Sequence, residues 1–212
     1  MAGLGIGPED FEIFRIEDPE ERADALEEQL APKLRILGRQ MAAGLSRVAG
    51  RDLHSHVSKV ARRRGIAPEE VFIAFCENPK GFRGIPYLAI SITRGQLHAR
   101  VAVRGESGRT AAMKRALERE APNLARKGKP FRKLRQYCNW NFEELPEIAP
   151  AHSPAFWQEL AAELEPMARG RAPAVDVGVA WPREEARSLA VGDVLGAFRD
   201  LAPLYKILSN AD

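Results

Sequence analysis

The residues best suited to chemistry lie in one stretch of this chain, from His54 to Arg104. It holds three of the four histidines, several lysines and arginines, and the basic glycine-rich loop Asn78-Pro79-Lys80-Gly81-Phe82-Arg83-Gly84. Cationic side chains and the backbone N–H groups of such loops bind anions. A histidine, whose ordinary pKa is about 6.5, can also serve as a general acid or base. The stretch therefore indicates an anion-binding site, with proton transfer as an alternative.

The charges of the chain are distributed unevenly. Residues 51–135 contain 20 Lys and Arg against 7 Asp and Glu, a balance of +13. The remainder contains 12 basic and 22 acidic residues, a balance of −10. A basic region attracts nucleic acid or phosphate ligands unless acidic helices neutralise it in the fold. Both interpretations stay open at this point.

The elements that position this stretch follow from apolar periodicity and capping residues. Asp18 and Pro19 predict the start of a long helix, which Pro32 should kink or split. Residues 51–64 are predicted to form a second helix, on which His56, Lys59 and Arg63 share one face. The apolar run 71–76 is typical of a strand buried on both faces.

A β-hairpin is the clearest local prediction. Strands from Tyr87 to Thr93 and from Leu97 to Val103 flank a tight-turn signal around Gly95. Their alternation places one apolar set against the core: Leu88, Ile90, Ile92, Leu97, Ala99, Val101 and Val103. The opposite face must carry Tyr87, Ser91, Thr93, His98, Arg100 and Arg104. That face is expected either to be solvated or to form an anion platform. Replacing Ile90 with Asp should then destabilise strongly, and replacing Arg100 with Ala only mildly.

A second basic segment, residues 126–135, contains Phe131 and is followed by Tyr137 and Trp140. Such a mixture resembles surfaces that neutralise phosphates and stack bases, although aromatic residues of this kind are more often part of the core.

Composition and element order predict one α+β domain over residues 1–212, with a mainly antiparallel sheet built on the hairpin and covered by helices. The N-terminus lacks the features of a signal peptide, and no run of about 18 apolar residues occurs, so a cytoplasmic protein without a membrane segment is expected. Cys76 and Cys138 are expected to be free thiols. The sequence predicts no cofactor, and it shows no metal-ligand spacing and no nucleophile motif.

Several motifs resemble the YktB-like family, uncharacterised bacterial proteins that carry a domain of unknown function. The similarity extends over nearly the whole chain, and its most specific parts are HVSKVARRR and VFIAFCENPKGFRGIP. The positions that match the family are His56, Lys59, Arg62, Arg63, Gly81 and Pro86. The resemblance implies a compact α+β fold around an antiparallel sheet and no known activity.

Three functions remain open from the sequence. The favoured one is a module that binds an anionic ligand, either nucleic acid or a phosphorylated metabolite, through a basic helix-loop-hairpin surface. Its predicted ligand-binding residues are Lys59, Arg63, Lys80, Arg83, Tyr87, His98 and Arg100. The second is an enzyme acting on a small phosphate- or carboxylate-bearing substrate, with His56 or His98 as general acid or base. The third is a structural or interaction domain. An extended basic surface would favour nucleic acid, and an enclosed pocket would favour a metabolite.

Overall fold

The computed structural model describes residues 3–60, 66–105, 108–137, 142, 145–165 and 174–211. In this part of the chain the sheet has six strands in the order β1-β2-β3-β4-β6-β5, and every neighbouring pair is antiparallel. The strands are β1 (His54–Val57), β2 (Glu70–Cys76), β3 (Tyr87–Thr93), β4 (Gln96–Arg104), β5 (Arg135–Gln136) and β6 (Ala174–Pro182). The predicted α+β class with an antiparallel sheet is confirmed.

Helices cover one face of this sheet. They are α1 (Pro8–Glu12), α2 (Pro19–Ala25), α3 (Ala31–Ala49), α4 (Thr110–Arg126), α5 (Pro154–Ala162), α6 (Arg183–Ala186) and α7 (Val191–Ser209). Apolar side chains of α3, α4, α5 and α7 form one core cluster with the inward residues of the strands. We call this side of the sheet the helical face and the other side the polar face. No helix in the described ranges is long and apolar enough to cross a lipid bilayer.

The first long helix begins and breaks where the sequence predicts. Asp18 Oδ1 accepts hydrogen bonds from the backbone N–H groups of Glu20 and Glu21, at 2.9 and 2.8 Å. A π-helical turn, Leu26–Leu30, then separates α2 from α3, and Pro32 lies in the first turn of α3. The proline cannot donate to the preceding turn, which explains the change of helical type at this place.

The helix predicted for residues 51–64 is wrong over its first half, because His54–Val57 forms the edge strand β1. It pairs with β2 in the register Val57 with Ile73 and His54 with Cys76. Pairing with an existing strand edge outweighs the weak helical pattern of this segment. The continuation through residues 61–65, which includes Arg62 and Arg63, lies outside the described residues. The basic surface is therefore not built on a helix at His56.

The hairpin has the predicted register, but both of its faces are buried. Leu88 pairs with Val101, and Ile90 pairs with Ala99, on the helical face. On the polar face Tyr87, His98 and Arg100 are also buried. The expectation of a solvated face or an open platform is therefore wrong. Two parts of the chain cover the polar face: the loop that follows β2, and the side chain of Tyr137.

The core position of Ile90 gives the first testable prediction. We expect Ile90→Asp to lower the free energy of unfolding by about 4 kcal/mol or more, because it places an unpaired carboxylate in the core. Ile36→Asp is the matched control, since Ile36 is 49% exposed on α3 whereas Ile90 is fully buried. The control should cost less than about 1 kcal/mol. Urea unfolding followed by circular dichroism measures both, and equal losses would contradict the placement of Ile90.

Candidate functional site

The polar face of the sheet gathers ionisable and aromatic side chains around a floor of small residues. Strand alternation and register place the following residues on this face: Glu70, Phe72, Ala74, Cys76, Tyr87, Ala89, Ser91, Thr93, His98, Arg100, Ala102, Arg104, Asp176 and Gly178. The floor is very close-packed at Gly178, where an added Cβ would lie 2.2 Å from the Ala99 carbonyl oxygen and 2.7 Å from Arg100 Cγ. Only glycine fits beneath the arginine at this point.

Arg100 is the centre of the polar face. Its side chain is 2% exposed and forms ion pairs with Glu70 of β2 and, through Nη1 at 3.3 Å, with Asp176 of β6. The ring of Tyr137 covers the guanidinium group, with 5.0 Å between the guanidinium carbon and the ring centroid. Burial alone would lower the pKa of Arg100, but the two carboxylates more than reverse this effect, so the pKa is raised. Arg100 is therefore a buried, permanently charged group.

Asp176 connects this buried cluster to the surface. Its Oδ2 also accepts from Arg104, whose Nε lies 3.2 Å away and whose Nη2 forms a closer ion pair. The Arg104 side chain is 42% exposed, whereas the Asp176 side chain is 2% exposed. One buried carboxylate thus fixes an arginine that reaches the protein surface at the end of β4.

His98 is a neutral member of the same cluster. Its Nδ1 lies 3.0 Å from the Tyr137 hydroxyl, and its Nε2 lies 3.3 Å from Thr93 Oγ1. Burial, reinforced by the charges of Arg100 and Arg135, lowers the pKa of His98 well below its ordinary value. An anion on this face would therefore meet no positive charge at His98 near neutral pH.

The loop of residues 77–86, which we call the glycine loop, packs over one end of the polar face. Phe82 lies 5.4 Å from Phe72 and 5.0 Å from Tyr87, measured between ring centroids. Gly84 donates its backbone N–H to the Arg104 carbonyl oxygen at 2.8 Å. The ring of His56 lies 6.5 Å from that of Phe82, and its Nε2 is 2.9 Å from the Asn78 carbonyl oxygen. These contacts fix the loop against the end of β4, at the backbone of Arg104.

The glycine loop leaves cationic and N–H groups available for an anion. Gly81 and Gly84 adopt φ values of 145° and 72°, which other residues rarely adopt. Between them, the backbone N–H groups of Phe82 and Arg83 have no acceptor among the described residues. The side chains of Lys80 and Arg83 are exposed and form no ion pair within the same ranges. Unpaired N–H groups between positive-φ glycines are typical of anion-binding loops.

The predicted ligand-binding residues fall into separate groups. Lys80, Arg83 and Tyr87 lie at the glycine-loop end of the hairpin, together with Arg104. His98 and Arg100 are buried further along the face, and Lys59 lies beside the start of β2, near the other end. Lys59 follows Ser58, whose N–H binds the Phe72 carbonyl oxygen at 2.7 Å. The predicted site residue Arg63 lies outside the described residues.

Sequence reasoning missed the two carboxylates of the cluster and the role of Arg104. Asp176 sits in the alternating strand 174–182, on the side opposite Val175 and Val177, so the pattern alone marks it as polar-facing. Asp176 reaches Arg100 only because β4 pairs with β6, and no local sequence pattern predicts that pairing. Among the described residues no three His, Cys, Asp or Glu side chains come together as a metal site.

Arg100 supplies a second testable prediction, which replaces the mild effect expected from sequence. Arg100→Ala should lower the free energy of unfolding by about 3–5 kcal/mol, because it leaves two carboxylates in the interior without their shared cation. Arg94→Ala, at the exposed hairpin turn, is the control and should change it by less than about 0.5 kcal/mol. Adding Glu70→Gln to Arg100→Ala should recover part of the loss. Additive losses in urea unfolding would contradict the ion pair.

His98 makes the stability depend on pH. The unfolded chain protonates this histidine at about pH 6.5, and burial prevents protonation in the folded protein. The unfolded state therefore binds more protons below that pH, and the free energy of unfolding falls by up to about 1.4 kcal/mol per pH unit from this residue. His98→Gln should remove this component between about pH 7 and pH 5. His152→Gln, at an exposed position, should leave the slope of the free energy of unfolding against pH unchanged. Equal slopes in the unchanged protein and in both variants would contradict the assignment of this pH dependence to His98.

Comparison with known proteins places the chain in a family. The family model described as Domain of unknown function (DUF1054) matches residues 7–205. A UPF0637 protein of Bacillus velezensis is 35% identical over 92 residues, which cover 43% of this chain and 44% of that protein. UPF0637 proteins of Bacillus thuringiensis and Bacillus cereus are 37% identical over 83 residues, 39% of this chain and 40% of each relative. The chain thus spans about two fifths of the length of the curated relatives it matches in these alignments. As its resemblance to YktB-like proteins predicted, the chain belongs to the DUF1054 family of uncharacterised bacterial proteins.

Proposed function

We propose that this protein binds a small phosphate-bearing ligand at the glycine loop, between Lys80, Arg83 and Arg104. The observation that carries the proposal is the pair of free N–H groups at Phe82 and Arg83, which lie on a turn flanked by cationic side chains. A phosphate accepts several hydrogen bonds at once, and charged donors make those bonds shorter and stronger. Arg104 is already oriented by buried Asp176, so its ordering costs little when the ligand binds.

The distribution of cations supports a metabolite over nucleic acid. A nucleic-acid surface neutralises a series of phosphates along a track. Here Lys80 and Arg83 are confined to one loop, and Lys59 lies beside the start of β2, near the opposite end of the polar face. Arg100 is neutralised by carboxylates within the fold. The cations of this region therefore suit one compact anion.

The enzyme alternative would use His56 rather than His98. The ring of His56 touches the glycine loop and is half-buried, so it lies beside the proposed ligand position. His98 is enclosed by Thr93 and Tyr137 and is held neutral. A reaction would appear as turnover of the bound compound, lost in His56→Gln while binding persists.

Calorimetric titration tests the proposal with inorganic phosphate, pyrophosphate and ATP at low and moderate salt. We expect at least one of these to bind, and Arg83→Ala to weaken binding about tenfold, because a charged donor to phosphate is lost. The salt dependence should be shallow, since few phosphates are contacted. No binding of any compound at low salt would contradict the proposal.

Lys59→Ala is the matched control for this titration. Lys59, like Lys80, is an exposed lysine without an ion pair among the described residues, but it lies beside the start of β2, near the other end of the face. The Lys59→Ala variant should bind ATP with the same affinity as the unchanged protein. Labelled DNA and RNA oligomers form the opposing arm. Affinity that rises with oligomer length and falls equally in Lys59→Ala and Arg83→Ala would establish a nucleic-acid surface instead.

A further inference from the structure

A recess lies far from the glycine loop, at the edge of the sheet that β6 and β5 form. It is a groove of about 690 Å³ between the end of β6, the basic segment 129–135 and the first half of α7. We call it the β6 groove. Its volume is within the range of about 300–1,000 Å³ that is usual for ligand sites. None of the residues proposed to hold phosphate lines it.

The floor of this groove is a strand edge with no neighbour. β4 pairs with β6 over its full length, from Ala174 to Pro182. On the other side, β5 pairs only with Val177 and Gly178. In the described part of the chain, the edge of β6 from Val179 to Trp181 therefore has no strand beside it. Such an edge presents backbone N–H and C=O groups that another extended chain can pair with.

The two walls of the groove carry opposite charges that do not neutralise each other. Lys129, Arg132 and Lys133 are exposed on one wall, and Glu185 and Asp200 are exposed on the other. Within the described ranges none of these five side chains forms an ion pair. An occupant that spans the groove can therefore satisfy both walls only if it carries both signs of charge.

Apolar surface lies between these walls. Val179 and Trp181 are half-buried and pack against the core with one side, which leaves the other side facing the groove. Ile148, at the rim, is 58% exposed, one of the few large apolar side chains in the described residues that are so open. Exposed apolar surface bordered by charged residues marks an interaction site.

We propose that the β6 groove binds an extended peptide segment of a partner protein, which adds as a strand to the free edge of β6. The backbone of the peptide pairs with the edge between Val179 and Trp181. An acidic side chain of the peptide contacts Lys133, a basic one contacts Asp200, and an apolar one covers Trp181. Main-chain pairing supplies affinity in this mode, and the flanking contacts select the sequence.

Selection from a displayed library of random octapeptides tests this inference. We expect enrichment of β-branched sequences that hold at least one acidic and one basic residue. The enriched peptide, labelled and measured by fluorescence anisotropy, should bind three- to tenfold more weakly to Lys133→Glu and to Asp200→Lys. Binding should also change the fluorescence of the protein, and this change should be lost in Trp181→Phe.

Two surface variants serve as matched controls. Arg115→Glu and Glu159→Lys make the same charge changes at exposed positions on α4 and α5, outside the groove. Both should bind the peptide as the unchanged protein does. Failure to enrich any peptide, or equal losses in the groove and control variants, would overturn the inference. Concentration-dependent dimerisation that Lys133→Glu abolishes would show that a second copy of this chain occupies the edge, and would overturn it as well.

Discussion

The arrangement of this protein depends on burying one guanidinium group between two carboxylates. Arg100 stands in the middle of a sheet whose opposite face is packed by helices, so it cannot reach bulk water by a small movement. Isolating such a charge costs several kcal/mol, and the cost is offset only when partners of opposite charge are well placed. Glu70 and Asp176 come from strands on either side of the hairpin, and Tyr137 covers the group from above. The charge of Arg100 is therefore neutralised only if β2 and β6 lie on either side of the hairpin, so its neutralisation depends on this strand order.

That constraint also explains why the polar face is buried at its centre and exposed to solvent at Arg104. Apart from its two carboxylate partners, the residues next to Arg100 on this face are small or neutral: Ala89, Ala102, Gly178 and an uncharged His98. Arg104 shares the same aspartate but reaches solvent, and the glycine loop is bonded to its carbonyl oxygen. The interior cluster thus sets the position of surface groups without itself being open to a ligand. A rigid, hydrogen-bonded shell behind exposed groups is what binding sites require for preorganisation.

Local patterns were enough for the parts of the fold that rest on local physics. The cap at Asp18, the interruption near Pro32 and the hairpin register followed from side-chain chemistry and period-two alternation. The prediction of a helix at His54–Val57 was wrong, because pairing with β2 imposes a strand conformation on this segment. For the candidate site, the basic glycine-rich loop in the sequence predicts Lys80 and Arg83, whereas the two carboxylates that pair with Arg100 were not predicted. Which acidic residue meets Arg100 depends on β6 lying beside β4, and no residue near Arg100 in the sequence encodes that neighbour.

The distance along the chain between Arg100 and Asp176, 76 residues, has a consequence for synthesis on the ribosome. When the hairpin has emerged, Glu70 is already available, but the strand that brings the second carboxylate has not been made. Until then Arg100 lacks one of its two carboxylate partners, and the edge of β4 has no neighbouring strand. Pairing of the strand Ala174–Pro182 with β4 supplies both the missing backbone hydrogen bonds of β4 and the second carboxylate. A chain interrupted before this strand would therefore bury Arg100 without its full compensation and would leave the edge of β4 open, the kind of surface that promotes misassembly.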